Sequence, residues 1–320
     1  MRIFLAGATG AIGERLVPLL VAGGHQVVAT TRTPAKLERL RAQGAEPVVV
    51  DGLDRDAVMK AVVAARPDAI VHQMTALASM RSLKHFDEEF AVTNRLRTEG
   101  TSHLLEAARA AGTPRFVAQS YAGWPSERRG GRITTEEDPL DSGPPKTMTR
   151  SLAAIRELEH SVTETAGIAG TVLRYGSLYG PGTSVSEQGE IVALIRQRKF
   201  PLVGDGAGVW SFLHVADAAR ATQLALERDR PGLYNIVDDE PAEVSVWLPY
   251  LAEVLGAKPP IRLPAWLARF VLGDAGVWMM TQIPGSSNAK AKRELGWQPE
   301  FASWRDGFQR GLAMGSQEKA

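Results

Sequence analysis

Seven residues into the chain an apolar run ends in Gly7-Ala8-Thr9-Gly10-Ala11-Ile12-Gly13 and passes directly into an amphipathic stretch. That junction of strand, glycine turn and helix constrains the fold more than anything else in the sequence. Gly7 permits the tight turn, Gly10 lets backbone N–H groups approach a pyrophosphate, and Gly13 lets helix and strand pack closely. The positive end of the helix then faces the phosphate charge. Gly7, Thr9, Gly10, Ala11, Ile12 and Gly13 are therefore the candidate pyrophosphate cradle.

The pattern continues. Short β-branched runs at Arg2–Ala6, Gln26–Thr31, Glu46–Val50, Asp68–Val71, Arg115–Gln119 and Thr171–Leu173 read as buried strands. Amphipathic stretches at Ile12–Ala22, Ala35–Ala42, Ala57–Ala65, Val92–Ala111 and Ser151–Thr165 alternate with them. Strand–helix alternation at this spacing predicts an α/β fold, a doubly wound parallel Rossmann sheet. Residues 1–175 form the dinucleotide-binding domain, with 210–237 returning to it. Residues 176–209 and 238–320 make a smaller, mostly helical substrate region.

The second strand ends Thr30-Thr31-Arg32, with Lys36 one helical turn on. A site for NAD usually places a carboxylate there, to accept hydrogen bonds from the ribose 2′-hydroxyl. A guanidinium instead suits a 2′-phosphate, so Arg32 and Lys36 predict NADP over NAD. Asp51 and Gly52 follow the third strand, where Asp51 meets the adenine edge or caps the next helix. Met74 and Thr75 follow the fourth strand, and Tyr175, Gly176 and Ser177 the sixth; both groups are assigned to the cofactor.

Composition narrows the chemistry. The 320 residues include no cysteine, so thiolate metal sites and cysteine nucleophiles are excluded. Six scattered histidines offer no His-Glu-x-x-His, and no metal is expected. Lys and Arg number 37 against 36 acidic residues, which argues against a nucleic-acid partner. No leader or membrane span is read, which predicts a cytoplasmic protein.

Together these residues resemble the extended short-chain dehydrogenase/reductase family, which includes nucleotide-sugar epimerases and dehydratases. Further landmarks are Asp51-x-x-Asp54, Asp68-Ala-Ile-Val-His72, Asn94, Arg115-Phe-Val-Ala-Gln-Ser120, Leu173 to Gly182, His214-Val-Ala-Asp217, Tyr234-Asn235 and Glu294-Leu-Gly-Trp297. The resemblance implies a Tyr-x-x-x-Lys pair on the fifth helix and a Ser or Thr after the fifth strand. This chain departs from both. Met148 and Leu152 stand where the Tyr and Lys are expected, and neither can move a proton. After the strand come Ser120 and Tyr121, of which Tyr121 is the first candidate for proton transfer, with Lys146 or Arg150 as its neighbouring cation. Trp210 replaces an arginine that sugar-nucleotide members use for a substrate phosphate. An indole there favours an apolar or aromatic substrate.

The expected pocket is lined by Met80, Trp124, Met148, Leu152, Tyr179 and Trp210, with Trp278, Met279 and Met280 extending it or forming a helix core. His72, His214 and Asp217 read as structural, Asp217 as a helix cap. The expected activity is NADP-dependent hydride transfer to or from a carbonyl, alcohol or activated double bond of a small, largely apolar molecule. Two alternatives stand beside it: a cofactor-binding sensor without turnover, and a redox-neutral epimerase or dehydratase holding its cofactor tightly. The resemblance also implies a homodimer through the fourth and fifth helices.

Overall fold

The computed structural model describes residues 1–77, 82–128 and 131–313. Its centre is a seven-stranded parallel sheet made of β1 (Arg2–Ala6), β2 (Gln26–Thr31), β3 (Glu46–Val49), β4 (Ala69–His72), β5 (Arg115–Tyr121), β6 (Ala169–Tyr175) and β7 (Gly232–Ile236). The spatial order is β7-β6-β5-β4-β1-β2-β3. The chain runs outward from β1 to β3 and then restarts on the other side of β1 with β4. That reversal opens a crevice beyond the carboxyl ends of β1 and β4, where open α/β sheets bind ligands.

Helices cover both faces because each strand is apolar on both sides. On one face, α1 (Gly13–Ala22) and a helix at Val215–Arg228 enclose Leu5, Leu16, Leu20, Val71 and Leu173. Leu40 of α2 (Leu37–Ala42) joins that same cluster, while on the other face α3 (Arg55–Ala65) covers Phe4, Val58, Ile70, Phe116 and Val172. The predicted helix over Val92–Ala111 is present with one interruption. It runs as α4 (Phe86–Glu89), α5 (Ala91–Arg95), a π turn at Leu96–Gly100, and α6 (Thr101–Ala111). Helix α7 (Thr149–Glu164) completes that layer.

Residues 209–214 differ from the expected return to the sheet. Val209–Trp210 pairs with Ala242–Glu243, and Phe212–His214 pairs with Ser177–Tyr179, both outside the central sheet. The helix at Val215–Arg228 and β7 do join the central layers. A separate apolar core in the C-terminal lobe gathers Phe212, Trp247, Trp304 and Phe308. The caps there are also exchanged relative to expectation. His214, through Nδ1, caps the helix that follows it, whereas buried Asp217 accepts the Glu300 and Phe301 N–H groups and anchors the C-terminal segment.

No helix among the described residues is long and apolar enough to cross a membrane. None of their His, Asp and Glu residues gather in a group able to hold a metal.

Candidate active site

The glycine turn is held from below. Gly7 sits at φ +93°, and a Cβ there would lie 2.7 Å from the Gln73 carbonyl carbon at the end of β4. A Cβ at Gly13 would meet the Gly7 carbonyl oxygen at 2.5 Å. Both positions exclude side chains because the turn is pressed against its own backbone and against β4. Gly10 differs, since its only near neighbour would be the Gly7 oxygen at 3.5 Å. Its free side is the side from which a phosphate approaches. No backbone carbonyl among the described residues accepts from the Ala11 or Ile12 N–H, and α1 has no side-chain cap. These donors, with the helix dipole, fit a pyrophosphate. Thr9 and Thr31 pair their hydroxyls at 3.4 Å, and Thr30 Oγ1 accepts from Gly7 N–H, tying the turn to β2.

Arg32 is exposed just past β2, with Lys36 partly exposed nearby. Neither has a carboxylate partner among the described residues. Asp54, not Asp51, caps α3 by accepting from Ala57 N–H; Asp51 is exposed and accepts from Leu53 N–H. Gly52 is covered by the Met74 thioether, so these two brace one another at the adenosine end. Thr75 is partly buried beside them.

At the far end of the crevice Tyr121 and Ser177 hydroxyls are 2.9 Å apart. The successive residues Ser120 and Tyr121 point to opposite faces, as a strand requires. Ser120 donates to Glu159 Oε1 at 2.7 Å, inside a buried pair in which Arg174 grips the same carboxylate at 2.8 and 2.6 Å. The structure thus takes Ser120 out of the reacting set and gives it a structural partner. Tyr175 is corrected in the same way. Its hydroxyl, pushed up to about 12 by burial, is engaged by Gln73 and Thr222 in the core. Gly176 is buried against the Ser211 carbonyl, a packing role. Tyr179 does not line the pocket: it is fully buried among Phe212, His214, Phe301 and Phe308 in the C-terminal core.

Met148, Leu152 and Trp124 do come together. They form one apolar cluster with Phe86, Phe90 and Met279, and Tyr121, Trp210 and Trp278 pack on its edge. Met280 turns instead into the C-terminal core. Trp210 donates its indole N–H to the Met279 carbonyl at 3.0 Å, which fixes the indole on the edge of the cluster. Met80 lies outside the described residues, as do Arg129 and Gly130 of the basic loop Glu127-Arg-Arg-Gly-Gly-Arg132. Arg132 of that loop is ion-paired with Glu243.

Helix α7 starts beside this cluster without a cap of its own. Asp87 of α4 supplies one, accepting from the Arg150 and Ser151 N–H groups at 2.9 and 2.8 Å and from Ser151 Oγ at 2.6 Å. Lys146 and Arg150 are exposed, and neither is the cation of the site. That cation is Arg97, buried in the π turn with its guanidinium 5.9 Å from the Phe90 ring centre. Burial lowers it to about 10, still protonated at neutral pH, and its field opposes the upward push of burial on the Tyr121 phenol. Sequence reasoning missed Arg97. The available signal was its place on the inward face with Thr93, Thr101 and Leu104, all buried.

His72 is structural. Its Nδ1 accepts from Met74 N–H at 3.2 Å, and its Nε2 lies 3.1 Å from the Leu96 carbonyl, in the π turn. A neutral ring with the proton on Nε2 satisfies both contacts. Burial holds this imidazole down to about 4 from an ordinary 6.5. Between those values the unfolded chain binds a proton that the folded chain does not, so stability falls as pH drops from 6.5 towards 4. The full span is worth about 3 kcal/mol. Urea midpoints measured across it should fall in the native chain and fall less in His72→Gln.

The description of the NAD-dependent epimerase/dehydratase family matches residues 3–237. A Streptomyces protein named 3-diazoavenalumate denitrifying reductase is 47% identical, covering 97% of this chain and 100% of its own. A Stigmatella aurantiaca protein named 4-hydroxy-2-methyl-3-oxo-4-farnesyl-3,4-dihydroquinoline-1-oxide ketoreductase is 27% identical over 93% of this chain and 92% of its own. Among solved structures, the Thermus thermophilus UDP-glucose 4-epimerase with NAD superposes with a TM-score of 0.76 at 26% identity, covering 98% of each chain.

Proposed function

The chain belongs to the NAD-dependent epimerase/dehydratase family, and from that premise we propose an NADP-dependent reductase acting on an aromatic electrophile that needs no proton from the protein. One observation carries the reading. The start of α7 brings Met148 and Leu152, not a phenol and an amine, into the apolar cluster beside Tyr121. No Tyr-x-x-x-Lys occurs anywhere in the sequence.

The relative at 47% identity is named as a denitrifying reductase of a diazo compound. Such a reaction suits these residues. A nicotinamide cofactor supplies the hydride when bound. Hydride delivered to an arenediazonium carbon makes a C–H bond while the C–N bond breaks, and its electron pair departs with dinitrogen. The atoms and charges balance without a proton. The glycine turn holds the pyrophosphate, and Arg32 and Lys36 hold the ribose 2′-phosphate. Met148, Leu152, Trp124 and Trp210 exclude water, which would otherwise hydrolyse a diazonium. Tyr121 stays a neutral phenol because burial raises its pKa, and it offers a hydrogen bond oriented by Ser177.

A carbonyl acceptor is the second reading, favoured by the Tyr121–Ser177 hydrogen bond and by the ketoreductase relative. There Tyr121 gives its proton to the forming alkoxide. The two readings separate by product. With NADPH and a diazotised aminobenzoate, the first predicts one dinitrogen released per cofactor oxidised, faster than without protein. No acceleration with the diazo compound, together with turnover of aromatic ketones, reverses the order.

A further inference from the structure

A buried guanidinium ordinarily has a carboxylate, since taking the charge out of water costs several kcal/mol. Arg97 is 7% exposed and has none within ion-pair distance among the described residues. Among the described residues its one hydrogen bond is a long one, 3.5 Å from Nη1 to Asn94 Oδ1, out of five N–H groups available. Glu159, whose charge acts on Arg97 without an ion pair, and Asp87 are both committed elsewhere. Glu159 is gripped by Arg174 and Ser120, and Asp87 by the start of α7. Asn94 is itself fixed, donating to Ser151 Oγ at 2.9 Å, and Ser151 is in turn held by Asp87. The scaffold therefore positions Arg97 without neutralising it. Arg97 stands inside the π turn, and π turns recur at functional sites.

We propose that Arg97 is the substrate-anion site of this chamber: with the Tyr121 and Ser177 hydroxyls nearby, it holds an anionic oxygen, carboxylate or phenolate, on an aromatic substrate. The inference rests on the reductase reading for where the acceptor sits. It also sharpens that reading, because a bare diazonium cation would be repelled by a buried guanidinium. The acceptor must carry its own negative oxygen.

The test uses the full chain loaded with NADP+ and two probes of one shape, benzoate and benzamide, with binding followed by tryptophan fluorescence. No hydride moves, so a wrong reaction class does not affect the result. The native chain should bind benzoate about tenfold more tightly than benzamide, the factor typical of one charge-assisted contact. Arg97→Gln should abolish that preference while benzamide affinity stays. Arg97→Lys, which keeps the charge but loses the planar fork, should retain part of it. A merely structural Arg97 would alter both probes equally. Equal binding of the two probes by the native chain, failure of both to bind at millimolar concentration, or a preference that survives in Arg97→Gln overturns the proposal.

Discussion

Replacing Glu159 with alanine lowers the unfolding free energy by about 3–5 kcal/mol. The pair it breaks is buried on both sides, at 7% and 5% side-chain exposure, and the grip of Arg174 is two-pronged. Without the carboxylate, Arg174 keeps its charge in the sheet layer with no acceptor. Its Nη1 already has none. Removing both charges, as in Glu159→Met with Arg174→Met, should restore most of the stability, since the desolvation cost disappears with the pair. Ser120→Ala should cost only about 1–2 kcal/mol, for the hydrogen bond to Glu159. Its kcat should stay at the native level. Guanidinium melts of the four proteins check these values. A mild loss for Glu159→Ala would mean that the pair is not buried as described.

Reversing the charge at Arg32 has the largest expected effect on ligand binding. On the proposed NADP reading, Arg32→Asp removes the hydrogen bonds of a guanidinium to the 2′-phosphate and sets a carboxylate against it. NADPH affinity should fall roughly a hundredfold to a thousandfold, the sum of two charge-assisted contacts. NADH should bind as tightly as before or more tightly, because the new carboxylate can accept from a ribose 2′-hydroxyl. Arg32 makes no intramolecular ion pair among the described residues, so the change acts on the ligand and leaves stability nearly untouched. Titrations of both cofactors against the native and variant proteins measure the switch. Equal NADPH affinity in the two proteins would remove Arg32 from the site.

The strand–helix alternation made the sheet legible in the sequence, because period and turn chemistry are local properties. The roles of Gly7 and Gly13 were legible for the same reason. What escaped depends on direction and tertiary partners. Ser120 and Tyr121 are adjacent in sequence, yet the pleat sends one hydroxyl to a buried ion pair and the other to the crevice. Tyr175 ends β6 and Tyr179 ends the short strand Ser177–Tyr179, and packing against Thr222 and Phe308 draws them into cores. Asp54 takes the cap that Asp51 was equally placed to make. Arg97 escaped because the face it shares with Thr93, Thr101 and Leu104 is polar in three positions of four, so no apolar stripe marks it as buried. Met148 and Leu152 do share one apolar cluster, against which Trp210 and Tyr121 pack.

The absence of a proton-donating pair makes a definite chemical statement, and isotope transfer tests it most directly. NADPH deuterated at the transferred position is mixed with the protein and a diazotised aminobenzoate in ordinary water, and the gas and the benzoate product are analysed together. Hydride transfer without a protein proton gives one dinitrogen and one oxidised cofactor per turnover, with Tyr121→Phe still competent and deuterium from the cofactor in the arene. Retention of both nitrogens as a hydrazine, whose formation demands protons, or loss of all turnover in Tyr121→Phe, would contradict it.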